Sequence, residues 1–127
     1  MYDFPTIDEV HDILDKIAEE LPEDFFRKLN QGIVLLPEYK LHPESRITDK
    51  LYVMGEYGRN VAGRHIAMYY GSFKIVFNGL SKEALKERLK DTLLHEFTHH
   101  FESLAGEKGL EIQDARDMDR YKRRGNK

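Results

Sequence analysis

The 127-residue chain has room for one domain with a modest core, and its 40% hydrophobic and 34% charged residues suit a globular protein. A net charge of −3 is too small to argue for nucleic acid or an anionic membrane as partner. No apolar run approaches the roughly 18 residues of a membrane span, and the start Met1-Tyr2-Asp3-Phe4-Pro5 lacks the basic and apolar regions of a signal peptide, so a cytoplasmic location is expected.

Thr6-Ile7-Asp8-Glu9 has the form of a capping box, with Thr6 as N-cap and Glu9 at the third helical position. Ile7, Val10, Ile13, Leu14, Ile17, Ala18 and Leu21 then recur at three- and four-residue steps, which predicts an amphipathic first helix. Pro22 can open a second helix that buries Phe25, Phe26 and Leu29 and ends at Gly32. Ile33-Val34-Leu35-Leu36, stopped by Pro37, suits a buried strand, and residues 38–49 have no period and are expected to form a loop in which His42 is an exposed bystander. Residues 51–57 are rich in β-formers and lead into a turn signal at Gly58-Arg59-Asn60. Residues 65–70 and 72–78 flank Gly71 and predict two strands or one bulged strand. In residues 72–78, Phe73, Ile75 and Phe77 alternate with Ser72, Lys74 and Val76, as on an edge strand.

Ser81 is placed to cap a long helix over residues 82–104, whose apolar face is Ala84, Leu85, Leu89, Thr92, Leu93, Phe97, Phe101 and Leu104. Gly106 and Gly109 are its stop signals. A short last helix over residues 110–121 would turn Ile112, Ala115, Met118 and Tyr121 inward, and Arg120, Lys122, Arg123, Arg124 and Lys127 make a solvated end. The resulting order gives an α+β domain over residues 1–127, with a small mixed sheet of three or four strands packed against N-terminal helices and the long helix.

That helix contains Thr92-Leu93-Leu94-His95-Glu96-Phe97-Thr98-His99-His100-Phe101-Glu102, and within it His-Glu-x-x-His. At about 100° per residue, His95 and His99 lie roughly 40° apart and one turn up the helix, so both imidazoles can reach one ion. Glu96, about 100° from His95, is out of ligand position and can address a metal-activated water. With no cysteine in the chain, thiolate sites are excluded and a metal must be held by His, Asp and Glu. The bland alternative is a helix carrying two solvated or core histidines.

From Leu51 to Leu104, through the strands and this motif, the chain resembles the small single-domain bacterial zincin-like metallopeptidase family. The resemblance implies a minimal zincin fold, with a backing helix and a short twisted sheet against the active-site helix. It also implies Zn2+ at His95 and His99, with Glu96 as general base. The family has Gly three residues after the second ligand histidine, and Asp as third ligand three residues beyond. Here those positions hold Glu102 and Ala105. A third ligand therefore rests on geometry: Glu102, seven residues after His95, falls about 20° off the same face, some 10 Å along the axis. Its competitors are Glu107, Glu111 and Asp114, and its own alternative is a surface charge or a partner for a histidine. His100, rotated about 100° from His99, cannot share that face and is expected to support a ligand or the fold rather than to bind the metal.

With the metal present, the expected function is peptide-bond hydrolysis on a peptide or protein substrate, with Glu96 moving the proton. Tyr69, Tyr70 and Tyr121 are candidates for the donor to the carbonyl oxygen. The strand expected over residues 72–78 could pair with an extended peptide. The competing expectation is a non-catalytic zincin-like interaction domain with a structural metal or none. Glu96 weighs against it, because a structural site has no need of a carboxylate beside its first histidine.

Overall fold

The computed structural model describes residues 3–108, with side chains through residue 106. Helix α1 (Ile7–Glu20) starts at the capping box: Thr6 Oγ1 accepts from the Glu9 amide at 3.2 Å and Glu9 Oε1 accepts from the Thr6 amide at 2.9 Å. Its buried stripe is Val10, Leu14 and Ile17. The second helix expected from Pro22 is only a single 3-10 turn, Glu23–Phe26. Phe25 is buried as expected, edge-on to Phe101 at 5.2 Å. The backbone leaves the helical path through Lys28, with φ 64°, and Gly32, with φ 70°. By Gln31 and Gly32 its polar groups are bonded to Arg64 and Ile66, so sheet pairing takes the residues a longer helix would have used.

The strands are β1 (Ile33–Leu36), β2 (Lys40–Leu41), β3 (Tyr52–Val53), β4 (Gly55–Asn60) and β5 (Gly63–Tyr69). They form a three-stranded mixed sheet, β1-β5-β4, and a two-stranded antiparallel ribbon, β2-β3. β5 pairs parallel with β1 (Ile33 opposite Ile66) and antiparallel with β4 (Tyr57 opposite Ile66). The hairpin turns at Val61-Ala62 rather than at Gly58-Arg59-Asn60, which lie within β4. Asn30 anchors this turn, with Nδ2 donating to the Ala62 carbonyl at 2.8 Å and Oδ1 accepting from the Arg64 amide at 3.0 Å. Gly63 there has φ 135° and leaves no room for a Cβ against the Asn30 side chain.

Residues 72–78, expected to be a strand, fall instead mostly in helix α2 (Tyr70–Val76). The alternation of Phe73, Ile75 and Phe77 is misleading, because Phe73 is fully buried while Ile75 is 47% exposed, and Phe73 meets Phe77 one helical turn away at 5.7 Å. The start of α2 is tied to the β1–β2 connection: the Gly71 amide donates to Glu38 O at 3.1 Å, and Ser72 Oγ accepts from the Lys40 amide at 3.1 Å. A Cβ on Gly71 would stand 2.6 Å from the Tyr39 nitrogen, so only glycine allows this approach.

Helix α3 (Lys82–Lys108) is capped by Ser81, whose Oγ accepts from the Ala84 amide at 3.1 Å. It passes through Gly106, which therefore does not end it. The helix expected over residues 110–121 lies outside the described residues. Leu85, Leu89, Leu93, Phe97, Phe101 and Leu104 of α3 form one core with Val10, Leu14 and Ile17 of α1 and Ile66 and Met68 of β5. Both long helices thus cover one face of the sheet, an α+β arrangement. Among the described residues no helix is long and apolar enough to cross a membrane.

Candidate metal centre

The stretch of α3 that buries Leu93, Leu94, Phe97 and Phe101 necessarily turns His95 and His99 outward, and both are exposed. Their Nε2 atoms approach to 3.2 Å, with the rings at 88°. Two nitrogens bound to one tetrahedral zinc at the usual 2.0–2.1 Å would be about 3.3 Å apart, so the separation of the pair suits such an ion. Glu102 Oε1 lies 3.2 Å from the other ring nitrogen of His99, Nδ1. A carboxylate there favours the tautomer with hydrogen on Nδ1, which leaves the Nε2 lone pair facing His95.

Glu102, expected from sequence as the third ligand, has its Oε1 at the Nδ1 side of His99, away from the Nε2 that meets His95. Among the described residues, the three-residue set with ligand atoms within 4.8 Å of one another is His11, Asp12 and Asp15 on α1, all exposed. The Glu107 side chain, Glu111 and Asp114 lie outside the description.

His100 turns the opposite way and is fully buried. Its Nε2 lies 2.8 Å from the Arg27 carbonyl and its Nδ1 3.0 Å from the Tyr57 hydroxyl. The carbonyl only accepts, so Nε2 carries the hydrogen and Nδ1 accepts from Tyr57 in the neutral ring. His100 therefore pins α3 to β4 and to the chain after the 3-10 turn, as its position in the helix led one to expect. His42 is exposed, its Nδ1 accepting from the Glu44 amide at 3.0 Å.

Beside the histidine pair runs a cleft of about 650 Å³ lined by Gly55, Glu56, Tyr57, Glu96, His99, Glu102 and Ser103. Glu96 is only 6% exposed, on its floor. The opposite wall is β4, brought close because Gly55 has no side chain: a Cβ there would stand 3.0 Å from Thr92 Cγ2 of α3. β5 reaches β4 through the Tyr69 amide, which donates to Met54 O at 2.9 Å, and reaches the chain before β1 through the Ile66 amide. Odd-numbered residues of β5 therefore bond to even-numbered residues of β4. Gly55, Tyr57 and Arg59 point their backbone N–H and C=O away from β5, along the outer edge of the sheet.

Of the three candidate tyrosine donors, Tyr70 donates to the Pro5 carbonyl at 2.6 Å, away from the cleft, and Tyr121 lies outside the description. Tyr69 donates to Glu56 Oε1 at 2.6 Å, and Lys40 Nζ meets the same oxygen at 2.6 Å. Burial works to raise the Glu56 carboxyl, but the bonds from Lys40 and Tyr69 outweigh it and hold it below the ordinary carboxylate range. Lys40 is raised by its bond to Glu56, and Tyr69 by burial followed by Glu56. Glu56 and Tyr57 were not singled out from sequence. The signal was a glutamate and a tyrosine flanked by Gly55 and Gly58, which places a polar wall where the backbone comes close to a neighbour.

No family model matches the chain, and no curated protein is similar to it. A solved structure described as a conserved hypothetical protein from Thermus thermophilus is 35% identical to it, with a TM-score of 0.68, over 81% of this chain and 100% of that one.

Proposed function

The chain belongs to the family of that conserved hypothetical protein from Thermus thermophilus, and on the geometry of its own helix we propose that it is a zinc metallopeptidase of the zincin type. The observation that carries the proposal is the 3.2 Å approach of the His95 and His99 Nε2 atoms, with Glu102 behind the second ring. His95 and His99 would hold the metal. Zinc, when bound at such a site, would supply Lewis acidity that lowers the pKa of a water towards neutrality. Glu102 keeps the His99 lone pair directed to the ion. For a third protein ligand the candidates are those named from sequence, Glu102, Glu107, Glu111 and Asp114.

Glu96 is the residue for proton transfer. Its carboxylate accepts a proton from the attacking water and returns it to the amine leaving the scissile bond. Its near-complete burial suits that role, since a base screened from bulk water exchanges its proton with the reacting groups. An extended substrate finds its partner in β4, whose Gly55 and Tyr57 N–H and C=O groups face the cleft, so strand addition holds the peptide against α3. This role passes to β4 from residues 72–78, which are mostly helical.

The test is zinc content and turnover together. Purified protein should carry about one zinc, lost on His95→Ala or His99→Ala, and Glu96→Gln should keep the metal while losing peptide cleavage. Protein prepared without chelator and free of zinc would remove the proposal, and undiminished cleavage by Glu96→Gln would leave the non-catalytic module as the better reading.

A further inference from the structure

Glu56 is built into the wall of the cleft in a way that the hydrolytic chemistry does not require. One carboxylate oxygen, Oε1, is held from two directions by Lys40 Nζ and Tyr69 Oη, each at 2.6 Å. The other oxygen has no hydrogen-bond partner among the described residues. Glu56 is therefore fixed in place without being used up. The remaining titratable lining of the cleft is Tyr57, Glu96, His99 and Glu102, with no lysine or arginine among the lining residues.

A peptide laid along the outer edge of β4 alternates its side chains between two faces. One set faces α3, where the motif stands. The other set faces the side occupied by Glu56, together with Ala67 and Tyr69 of β5. On that side a substrate residue directly across from Glu56 has its Cβ about 4.5–5.5 Å away. A lysine or arginine there reaches the unengaged oxygen, and the fixed carboxylate loses little freedom on accepting it. Lys40 opposes the approach of a second cation, but it sits on the far oxygen.

Resting on the peptidase reading above, we propose that Glu56 is a specificity-determining residue which selects extended peptides carrying a lysine or arginine side chain at the position facing it across β4. The assay is binding, so that it does not depend on turnover. Blocked octapeptides of alanine and threonine, each with a single lysine or norleucine moved through the sequence, are titrated into the full-length Glu96→Gln protein loaded with zinc. At one position lysine should bind roughly tenfold tighter than norleucine, as one additional charge-assisted hydrogen bond implies. The ratio should fall with added salt. In the Glu56→Gln, Glu96→Gln double variant the ratio should drop to about one; a purely structural Glu56 would weaken both peptides alike and leave the ratio standing. A lysine-to-norleucine ratio of one at every position in the Glu96→Gln protein overturns the proposal without recourse to any Glu56 variant. Loss of zinc or of cleavage in the native protein speaks against the peptidase reading instead, so the two failures are separable.

Discussion

Replacing His100 by Phe keeps the ring volume in the core and removes the hydrogen bonds that this fully buried side chain makes to Arg27 and Tyr57. The imidazole makes a 2.8 Å bond to the Arg27 carbonyl and a 3.0 Å bond from the Tyr57 hydroxyl. Each neutral hydrogen bond is worth about 1 kcal/mol net, and stripping a part-buried carbonyl and hydroxyl of that partner adds about 1 kcal/mol more, giving about 3 kcal/mol in total. With an unfolding entropy near 2.1 cal/mol/K per residue, this 127-residue chain should lose about 11 °C in Tm. Tyr57→Phe removes only one of the two bonds and should cost about a third as much. Scanning calorimetry measures both variants, and zinc analysis on the same samples should find His100→Phe still loaded at a temperature where it is folded. A His100→Phe melting within 2 °C of the parent would refute the assignment of both contacts, on the scale of about 4 °C per kcal/mol. Loss of zinc from a folded variant would place His100 in the metal shell instead.

Glu102→Gln removes the charge behind His99 and should weaken zinc binding about 10- to 100-fold without abolishing it, as loss of an outer carboxylate does. Competition with a chromogenic chelator reads this directly, and complete loss of zinc would make Glu102 a ligand. At the start of α1, Glu9 is held at a pKa of about 2 by the Thr6 amide first and Lys82 second. Its folded-state value is depressed, so its stabilising effect is present above the ordinary carboxylate pKa and is lost as pH falls through about 2. The difference in urea midpoint between parent and Glu9→Ala should therefore be full at pH 6 and shrink between pH 4.5 and pH 2. A difference that stays constant over that range would mean that the carboxylate charge contributes nothing at this cap.

The features legible in the sequence are those whose cause is local. The Thr6 capping box, the Ser81 cap and the apolar stripes of α1 and α3 are determined within a few residues, and each appears in the structure. The same holds for His95 and His99, whose approach needs only one helical turn. Elsewhere tertiary demands took over. Residues 70–76 became helical because Gly71 lets the backbone lie against Glu38 and Tyr39, and residues 27–32 left the helix to pair with β5. The turn moved to Val61-Ala62 because Asn30, over thirty residues earlier, holds it from outside. The cleft wall was hidden for the same reason: Glu56 and Tyr57 acquire their place from the contact of Gly55 with Thr92, which no window on the sequence contains.

The spacing of His95 and His99 on a helix of 27 residues also separates two kinds of damage. The nitrogen pair is set by a single turn of one helix, so a change elsewhere that leaves α3 helical leaves the pair standing. The cleft beside it depends on the docking of β4 against α3 at Gly55 and Tyr57. A substitution in the β4–β5 hairpin can therefore reshape the cleft without touching the two imidazoles.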